Sequence, residues 1–252
     1  MIRLDHLCVD LGKRRVVEGL SLGLQRGRVT AVIGANGAGK TSLLRALAGL
    51  VAPAAGKVLI DDTPLAILSL AERARRIGYL PQNGQPAWAM TVRELVELGR
   101  LPHRSRFAAL SPADHAAVDQ ALANADIAHL AARTVDTLSG GERARAKFAR
   151  VLAGETDWIF ADEPLASLDP PHQRDVLRLL RDAADKGKGV VVVLHQLSAA
   201  ARVADDVLVL RDGKCLAFGP REEVLTPATL EAAFGMEMDV IAHEGRKLIV
   251  PR

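Results

Sequence analysis

Short runs of consecutive apolar residues recur along the chain and alternate with segments of helical spacing. The clearest runs are residues 29–33, 77–80, 158–161 and 190–194. Unbroken apolar runs of this length are typical of strands that are buried on both faces. Because helical segments separate them, the pattern predicts an α/β fold with a parallel sheet covered by helices.

The two ends of the chain have different patterns. Residues 2–24 alternate between apolar and polar positions and turn at Gly12 and Lys13, which predicts an antiparallel hairpin. After about Asp206 short apolar strands return, and the dipeptide at 226–227, Thr-Pro, predicts a helix start.

The middle of the chain, residues 82–154, has a helical pattern throughout. Capping signals open one helix at Thr91, which we expect to end near Gly99, and another at Ser111. We therefore expect a helical insert of residues 82–154 in a core formed by residues 1–81 and 155–252. Together they form one functional domain of about residues 2–238.

Composition indicates a globular, intracellular type of protein. The chain has 252 residues, of which 49% are hydrophobic and 25% charged, so a disordered or fibrous chain is excluded. A net charge of +3 is weak evidence for a polyanionic binding partner, and we expect no nucleic-acid partner.

Cys8 and Cys215 are too far apart in sequence for a CxxC motif, which favours a reducing compartment. Charges near the N-terminus argue against a signal peptide, and every apolar run is shorter than the roughly 20 residues of a membrane span.

Residues 34–41, GANGAGKT, fit the phosphate-loop pattern G-x-x-x-x-G-K-[ST] between a predicted strand and a helix. Glycines allow backbone N–H groups to turn around phosphate oxygens, and the following helix N-terminus adds partial positive charge. Lys40 is expected to reach the β- and γ-phosphates, and Thr41 to offer a hydroxyl to magnesium. The predicted nucleotide-binding residues are Gly34, Ala35, Asn36, Gly37, Ala38, Gly39, Lys40, Thr41 and Ser42.

The apolar run at 158–161 ends in two carboxylates, Asp162 and Glu163. A hard cation beside phosphate prefers oxygen ligands, which suits Asp162 to the magnesium shell. Glu163 is suited to accept a proton from an attacking water. A solvated acidic turn is the alternative, and the phosphate loop upstream favours the catalytic interpretation.

Four further motifs occur in a fixed order. Residues 138–142, LSGGE, lie upstream of the carboxylate pair and resemble the signature motif of ATP-binding cassette (ABC) ATPases. Gln82 resembles the Q-loop glutamine of that family, residues 167–169 (SLD) resemble its D-loop, and His195 resembles its H-loop histidine. The resemblance covers nearly the whole chain.

The resemblance implies a P-loop NTPase core with an N-terminal antiparallel part and a helical signature insert. It implies ATP and Mg²⁺ as cofactors, with Thr41, Gln82 and Asp162 at the metal and Glu163, His195 and Gln82 as catalytic residues. A signature on a separate insert is expected to serve the nucleotide of a partner chain, so it also implies a homodimer. Ser139, Gly140, Gly141 and Glu142 would then act in trans, and Asp169 would lie at the dimer interface.

One family feature is missing. No aromatic residue precedes Tyr79, so no ring is available near the first hairpin to stack on adenine. Leu11 lies about where that ring is expected, with Arg14 and Arg15 close by. An arginine plane can stack on a base, and we expect base selectivity to be relaxed toward GTP.

Three stretches favour an importer subunit over a soluble cassette protein. Residues 98–104 (LGRLPHR) are similar to a stretch of importers of iron–siderophore complexes, haem and vitamin B12, and of some manganese and zinc importers. Residues 168–173 (LDPPHQ) and 219–227 (GPREEVLTP) are similar to stretches of the iron-complex and vitamin B12 group. A manganese or zinc importer and a soluble ATPase of iron–sulfur assembly remain alternatives. The resemblance implies separate multi-span permease subunits, a substrate-binding protein acting indirectly, and a peripheral location at the cytoplasmic face of the inner membrane. Residues 86–90 either receive a permease helix or belong to the core of the insert.

Overall fold

The computed structural model describes residues 1–82, 89–105, 108–243 and 246–251. The strands are β1 (Ile2–Leu11), β2 (Arg14–Leu24), β3 (Val29–Ile33), β4 (Ala55–Ile60), β5 (Thr63–Pro64), β6 (Ile77–Leu80), β7 (Trp158–Asp162), β8 (Gly189–Val193), β9 (Asp206–Arg211), β10 (Lys214–Pro220), β11 (Met238–His243) and β12 (Arg246–Pro251). The helices are α1 (Lys40–Leu47), α2 (Leu70–Arg76), α3 (Val92–Glu97), α4 (Pro112–Asn124), α5 (Gly140–Ala153), α6 (Pro170–Asp185), α7 (Leu197–Val203), α8 (Arg221–Val224) and α9 (Pro227–Phe234). Within these ranges no helix is both long and apolar enough to cross a membrane.

The predicted α/β core is confirmed. In the described part of the chain, six strands form one sheet in the order β10-β9-β3-β8-β7-β6. All neighbours are parallel except β10, which pairs antiparallel with β9. The four apolar runs of the sequence are β3, β8, β7 and β6, and they lie side by side. Every residue of β3, β7 and β8 is buried, because α6 and α7 cover one face of the sheet, and α1 with the antiparallel strands β1 and β2 covers the other.

The N-terminal hairpin is also confirmed. β1 and β2 pair antiparallel around a turn in which Gly12 has φ +59°. This hairpin belongs to a sheet in the order β2-β1-β4-β5, whose last two strands the sequence patterns did not predict. At the other end of the chain, α9 begins at Pro227 as expected, and β11 and β12 form a separate two-stranded hairpin.

The helical region has its own buried cluster, which runs from Met90 to Ala153 and draws on α3, α4 and α5. Met90 is 7% exposed and packs in that cluster, so for this residue the insert-core interpretation is right. Residues 86–88 of the same apolar stretch lie outside the described residues. The helix expected to run from Thr91 to near Gly99 ends at Glu97 and continues as a 3₁₀ segment, Leu98–His103. In a continued α-helix the ring of Pro102 would clash with the carbonyl of Leu98 and could not donate to it, which disfavours an α-helix through this segment.

Arg100 of this 3₁₀ segment holds three elements together. Its side chain is buried and donates to Asp114 Oδ1 at 2.8 Å, to the carbonyl of Ala153 at 2.7 Å and to Glu155 Oε2 at 2.7 Å. The hydroxyl of Ser111 and the guanidinium of Arg100 hold the pKa of Asp114 well below its usual range. The 3₁₀ segment is thereby fixed to the start of α4 and the end of α5.

Candidate active site

Four of the predicted motifs meet at one edge of the sheet. The phosphate loop follows β3, Glu163 follows β7, and Gln82 and His195 come two residues after the ends of β6 and β8. These strands are parallel neighbours, so their carboxyl ends face the same crevice. Ligands of open α/β sheets bind in such a crevice.

The phosphate loop wraps around the side chain of Lys40. This residue is 6% exposed, and its Nζ donates to the carbonyl oxygens of Gly34 at 2.8 Å and Ala35 at 2.9 Å. Burial lowers the pKa of Lys40, while the nearby carboxylates of Glu163 and Asp162 act in the opposite direction. The ammonium group therefore stands inside the loop with two carboxylates near it. All nine predicted nucleotide-binding residues lie in this loop and in the first turn of α1.

Two glycines are required by the neighbours of the loop. A Cβ on Gly34 would overlap the carbonyl oxygen of Leu210, and a Cβ on Gly39 would overlap that of Val16. Both glycines also have positive φ, +147° and +98°. Only glycine therefore fits at position 34, beside β9, and at position 39, beside β2. The loop they form leads into the N-terminus of α1, where a phosphate can bind.

Asp162, the last residue of β7, is 1% exposed. It accepts a hydrogen bond from the hydroxyl of Thr41 at 3.0 Å and another from the hydroxyl of Tyr79 at 3.3 Å. Burial raises the pKa of Asp162, and those two hydrogen bonds oppose the shift. The sequence patterns did not identify Tyr79 as a residue of the site. The one sequence feature that could have done so is a tyrosine, an apolar ring with a polar hydroxyl, inside a predicted buried strand.

Glu163 is held from both sides. Its Oε2 accepts a hydrogen bond from Gln82 Nε2 at 2.5 Å, and its Oε1 lies 2.5 Å from His195 Nε2. The backbone of Glu163 is left-handed, with φ +49°, which turns its side chain sharply after the strand. Such a conformation costs about 1–3 kcal/mol in a residue other than glycine and is concentrated at functional sites.

The donor set fits a magnesium ion bound together with a nucleotide. A hydroxyl (Thr41) and a carboxylate (Asp162) stand within hydrogen-bonding distance of each other beside the phosphate loop. Gln82 donates through its nitrogen, and its amide oxygen adds a third oxygen atom to this edge. Mg²⁺ prefers oxygen ligands and usually takes only one or two carboxylates plus substrate phosphates.

The signature residues begin α5. Ser139 caps the helix by accepting from the amide of Glu142 at 3.2 Å, and Glu142 Oε2 accepts from the amide of Ser139 at 2.8 Å. The amide of Ser139 holds the pKa of Glu142 below its usual value. In the part of the chain that the structure describes, no side-chain hydrogen bond or ion pair joins these residues to the phosphate loop.

The two signature glycines have different surroundings. Gly140 is exposed, and a Cβ there would come no closer than 3.8 Å to Leu168 of the D-loop. Gly141 is buried, and a Cβ there would overlap the ring of His172. A cavity of about 140 Å³ separates Gly140 from Glu163 and Gln82. Sequence analysis did not identify His172 as a neighbour of the signature.

Asp169 is the N-cap residue just before α6, but its side chain accepts no capping hydrogen bond. The carbonyl of Leu168 accepts a hydrogen bond from Gln173 Nε2 at 2.8 Å, which fixes the chain just before Asp169. The carboxylate of Asp169 is therefore exposed at a fixed position on the surface.

The hairpin of β1 and β2 approaches the phosphate loop at Val16, beside Gly39. Leu11 at its tip is 50% exposed. Of the two arginines expected near the base, Arg15 forms an ion pair with Asp10 on the neighbouring strand, and Arg14 is exposed. The pairing of Arg15 leaves Arg14 and Leu11 as the better candidates for contact with a base.

Comparisons with known proteins assign the family. A family model for ABC transporters matches residues 17–166. The hemin import ATP-binding protein HmuV of Pseudomonas entomophila is 43% identical over 259 residues, covering 100% of both chains. HmuV of Bordetella avium is 42% identical over 251 residues, covering 96% of this chain and 95% of the relative. The cobalamin import ATP-binding protein BtuD of Halobacterium salinarum is 42% identical over 235 residues, covering 93% and 58%.

Solved structures agree. A chain of a metal-chelate type ABC transporter in an inward-facing conformation superposes with a TM-score of 0.87 at 30% identity, covering 100% of this chain and 96% of that one. The dimeric structure of the bacterial ABC transporter cassette MJ0796 superposes with a TM-score of 0.74 at 27% identity, covering 87% and 98%. The chain belongs to the ABC transporter family and is one of its ATPases.

Proposed function

We propose that this chain is the ATP-hydrolysing subunit of an importer of iron complexes, with haem as the first candidate substrate. The observation that carries the proposal is the end-to-end alignment with a hemin import ATP-binding protein, 43% identical over 100% of both chains. Vitamin B12 is the second candidate, because a cobalamin import ATP-binding protein is 42% identical over 93% of this chain.

The arrangement of the site supports a hydrolytic mechanism. Lys40 and the amides at the start of α1 would bind the phosphates of ATP, and Thr41, Asp162 and Gln82 would hold Mg²⁺. The metal would neutralise charge on the phosphates during transfer. Glu163 would accept a proton from the attacking water, so that ATP and water give ADP and inorganic phosphate.

The partners of Glu163 define its catalytic geometry. A carboxylate has about four acceptor positions on its two oxygens, so the contacts with Gln82 and His195 leave room for a water molecule. Their opposed positions keep the carboxylate from rotating, which is the alignment that a general base requires. An imidazole with one N–H donates to one partner through Nε2, so His195 would donate to the transferred phosphate after releasing Glu163 Oε1.

Two features support a homodimer. Among the hydrogen bonds of the described residues, none joins the signature amides at the start of α5 to the phosphate loop, and Gly140 and Asp169 are exposed. In a head-to-tail dimer, Ser139 and both glycines would close on the partner's ATP, and Asp169 would lie between the subunits. The division into a core (1–81 and 155–252) and a signature unit (82–154) fits this arrangement, since the helical unit has its own buried cluster.

A permease surface is expected near the joint between these units. Leu70 of α2 is 80% exposed and Leu101 is 56% exposed. Their elements are connected, because Arg75 Nε donates to the carbonyl of Pro102 at 2.7 Å. A contiguous apolar patch formed by both leucines would mark a contact surface. Docking there would place the chain at the cytoplasmic face of the membrane, as a peripheral subunit.

The test combines transport with purification. A strain lacking this gene is supplied with radiolabelled haem, a ferric siderophore, cobalamin or manganese. We expect loss of haem uptake, its recovery with the wild-type gene, and no recovery with Lys40→Ala. Loss of cobalamin or manganese uptake alone would contradict haem as the substrate.

The tagged chain is also purified from native membranes. A stoichiometric multi-span permease is expected, and Leu70→Asp or Leu101→Asp should remove it. Leu216→Asp serves as the control, since Leu216 is equally apolar, 40% exposed, and lies on β10 at the opposite edge of the sheet. Recovery of a soluble iron–sulfur scaffold without a permease would overturn the importer function.

A further inference from the structure

Within one chain, the signature packs against the start of α6, the helix that follows the D-loop. The ring of His172, the third residue of α6, packs against the backbone of Gly141, the second residue of α5. A Cβ on Gly141 would overlap the Cγ, Nδ1 and Cε1 atoms of that ring. The ring therefore determines how close the start of α5 can come to the start of α6.

This contact is made by packing. Nδ1 of His172 is buried and has no hydrogen-bond partner among the described residues. A buried polar atom without a partner is unfavourable by about 1–3 kcal/mol, and such atoms are rare in folded proteins. The role of His172 here is therefore assigned to the packing of its ring against Gly141, and not to a hydrogen bond of Nδ1.

Further contacts connect α5 of the signature unit to α6 of the core. Arg145 Nη1 donates to Asp175 Oδ2 at 3.1 Å, one turn further along both helices. Leu168, just before Asp169, is the nearest side chain to Gly140 and is held by Gln173. Because α5 and α6 are in contact at two positions one turn apart, a displacement of α6 is expected to move the signature at the start of α5 as well.

We propose that His172 is a positioning residue. Its ring sets the distance between the start of α5 and the start of α6, so that the signature backbone can close on the partner's nucleotide. The same contact couples the signature to Asp169 of the D-loop. This inference rests on the proposed function, in which both motifs act across the dimer interface. Of the two glycines, Gly140 then faces the partner, and Gly141 is required because His172 leaves no room for a side chain.

The functional test uses ATP-driven dimerisation of the full chain carrying Glu163→Gln. Adding His172→Ala is expected to leave ATP binding by the monomer within about twofold, because the phosphate loop is untouched, and to weaken dimerisation at least about tenfold, since a shift near 1 Å is costly at a closing site. Arg174→Ala, an exposed change two residues along α6, is the control and should dimerise like the parent. His172→Ala that dimerises as tightly as the control would overturn the inference.

A second readout does not depend on hydrolysis. Gly141→Ala should lower Tm in the wild-type chain, because its methyl group collides with the ring. In the His172→Ala background the same change should cost much less, which gives a coupling between the two positions. Equal losses of Tm in both backgrounds would contradict the proposal.

Failure of the proposed function would look different. If the Glu163→Gln chain does not dimerise with ATP at all, the proposed dimeric ATPase is wrong, and the inference falls with it. If that chain dimerises and His172→Ala makes no difference, only the role of His172 is wrong.

Discussion

Glu163 Oε1 and His195 Nε2 lie 2.5 Å apart, although the two residues follow different strands of the sheet, β7 and β8. Gln82 holds the other carboxylate oxygen at the same distance. Three motifs that are far apart in the sequence are thus joined through one side chain.

Glu163→Gln should keep ATP affinity within about twofold and reduce turnover at least about 100-fold, because the amide cannot accept a proton from water. The variant should accumulate as an ATP-dependent dimer. Phosphate release and gel filtration with ATP measure both effects. Glu231→Gln, an exposed change on α9, is the control. Turnover at the wild-type rate would refute Glu163 as the general base.

Tyr79→Phe should raise the Mg²⁺ concentration that gives half-maximal activity by about threefold to tenfold. Its hydroxyl donates to Asp162 at 3.3 Å and helps to orient a proposed metal ligand. The measurement is ATPase activity in a magnesium titration at saturating ATP. An unchanged titration would show that Thr41 alone is enough to orient Asp162.

The hairpin tip should set base selectivity. We expect the wild-type chain to bind GTP within about tenfold of ATP, because no ring stacks on adenine there. Leu11→Tyr should favour ATP, and Arg14→Ala should weaken both nucleotides. Equilibrium binding of fluorescent ATP and GTP analogues tests this. GTP affinity far below that for ATP in the wild-type chain would contradict it.

Arg100→Ala should lower Tm by more than about 5 °C, because the buried carboxylate of Asp114 loses its positively charged partner and keeps only the hydrogen bonds from Ser111. Arg93→Ala removes an exposed ion pair, with Asp119, and should change Tm by less than about 2 °C. Calorimetry of both variants provides the comparison. Similar small losses would mean that the Arg100 contacts do not hold the helical unit.

Acid should act partly through Asp114. Its pKa in the folded chain lies below the usual value of 3.8, so its charged form stabilises the fold above about pH 4, and this stabilisation is lost as the pH falls. Asp114→Asn should lower Tm at pH 7 and flatten its decline in acid. Parallel Tm-against-pH curves for the two proteins would refute this role.

The active-site loops were predictable because their chemistry is local. A buried run of five residues such as Val29–Ile33 can only be an interior strand or a short buried helix, and the glycines that follow decide for a strand and a phosphate loop. Parallel strands then bring the loops after them to one edge. The β4 strand was missed because Ala55, Gly56 and Lys57 carry little strand preference, and pairing with β1 imposes their conformation. The β5 strand was missed because it has only two residues, Thr63–Pro64, and exists through its pairing with β4.

The sequence by itself determined the family, the order of its motifs and the interior strands, since each depends on residues adjacent in the chain. Only the tertiary structure decided which side chains support those motifs. Tyr79 reaches Asp162, His172 lies against Gly141, and Arg15 is paired with Asp10. These contacts depend on how strands and helices pack, and a packed interface selects partners by shape and distance, which no local pattern of residues records.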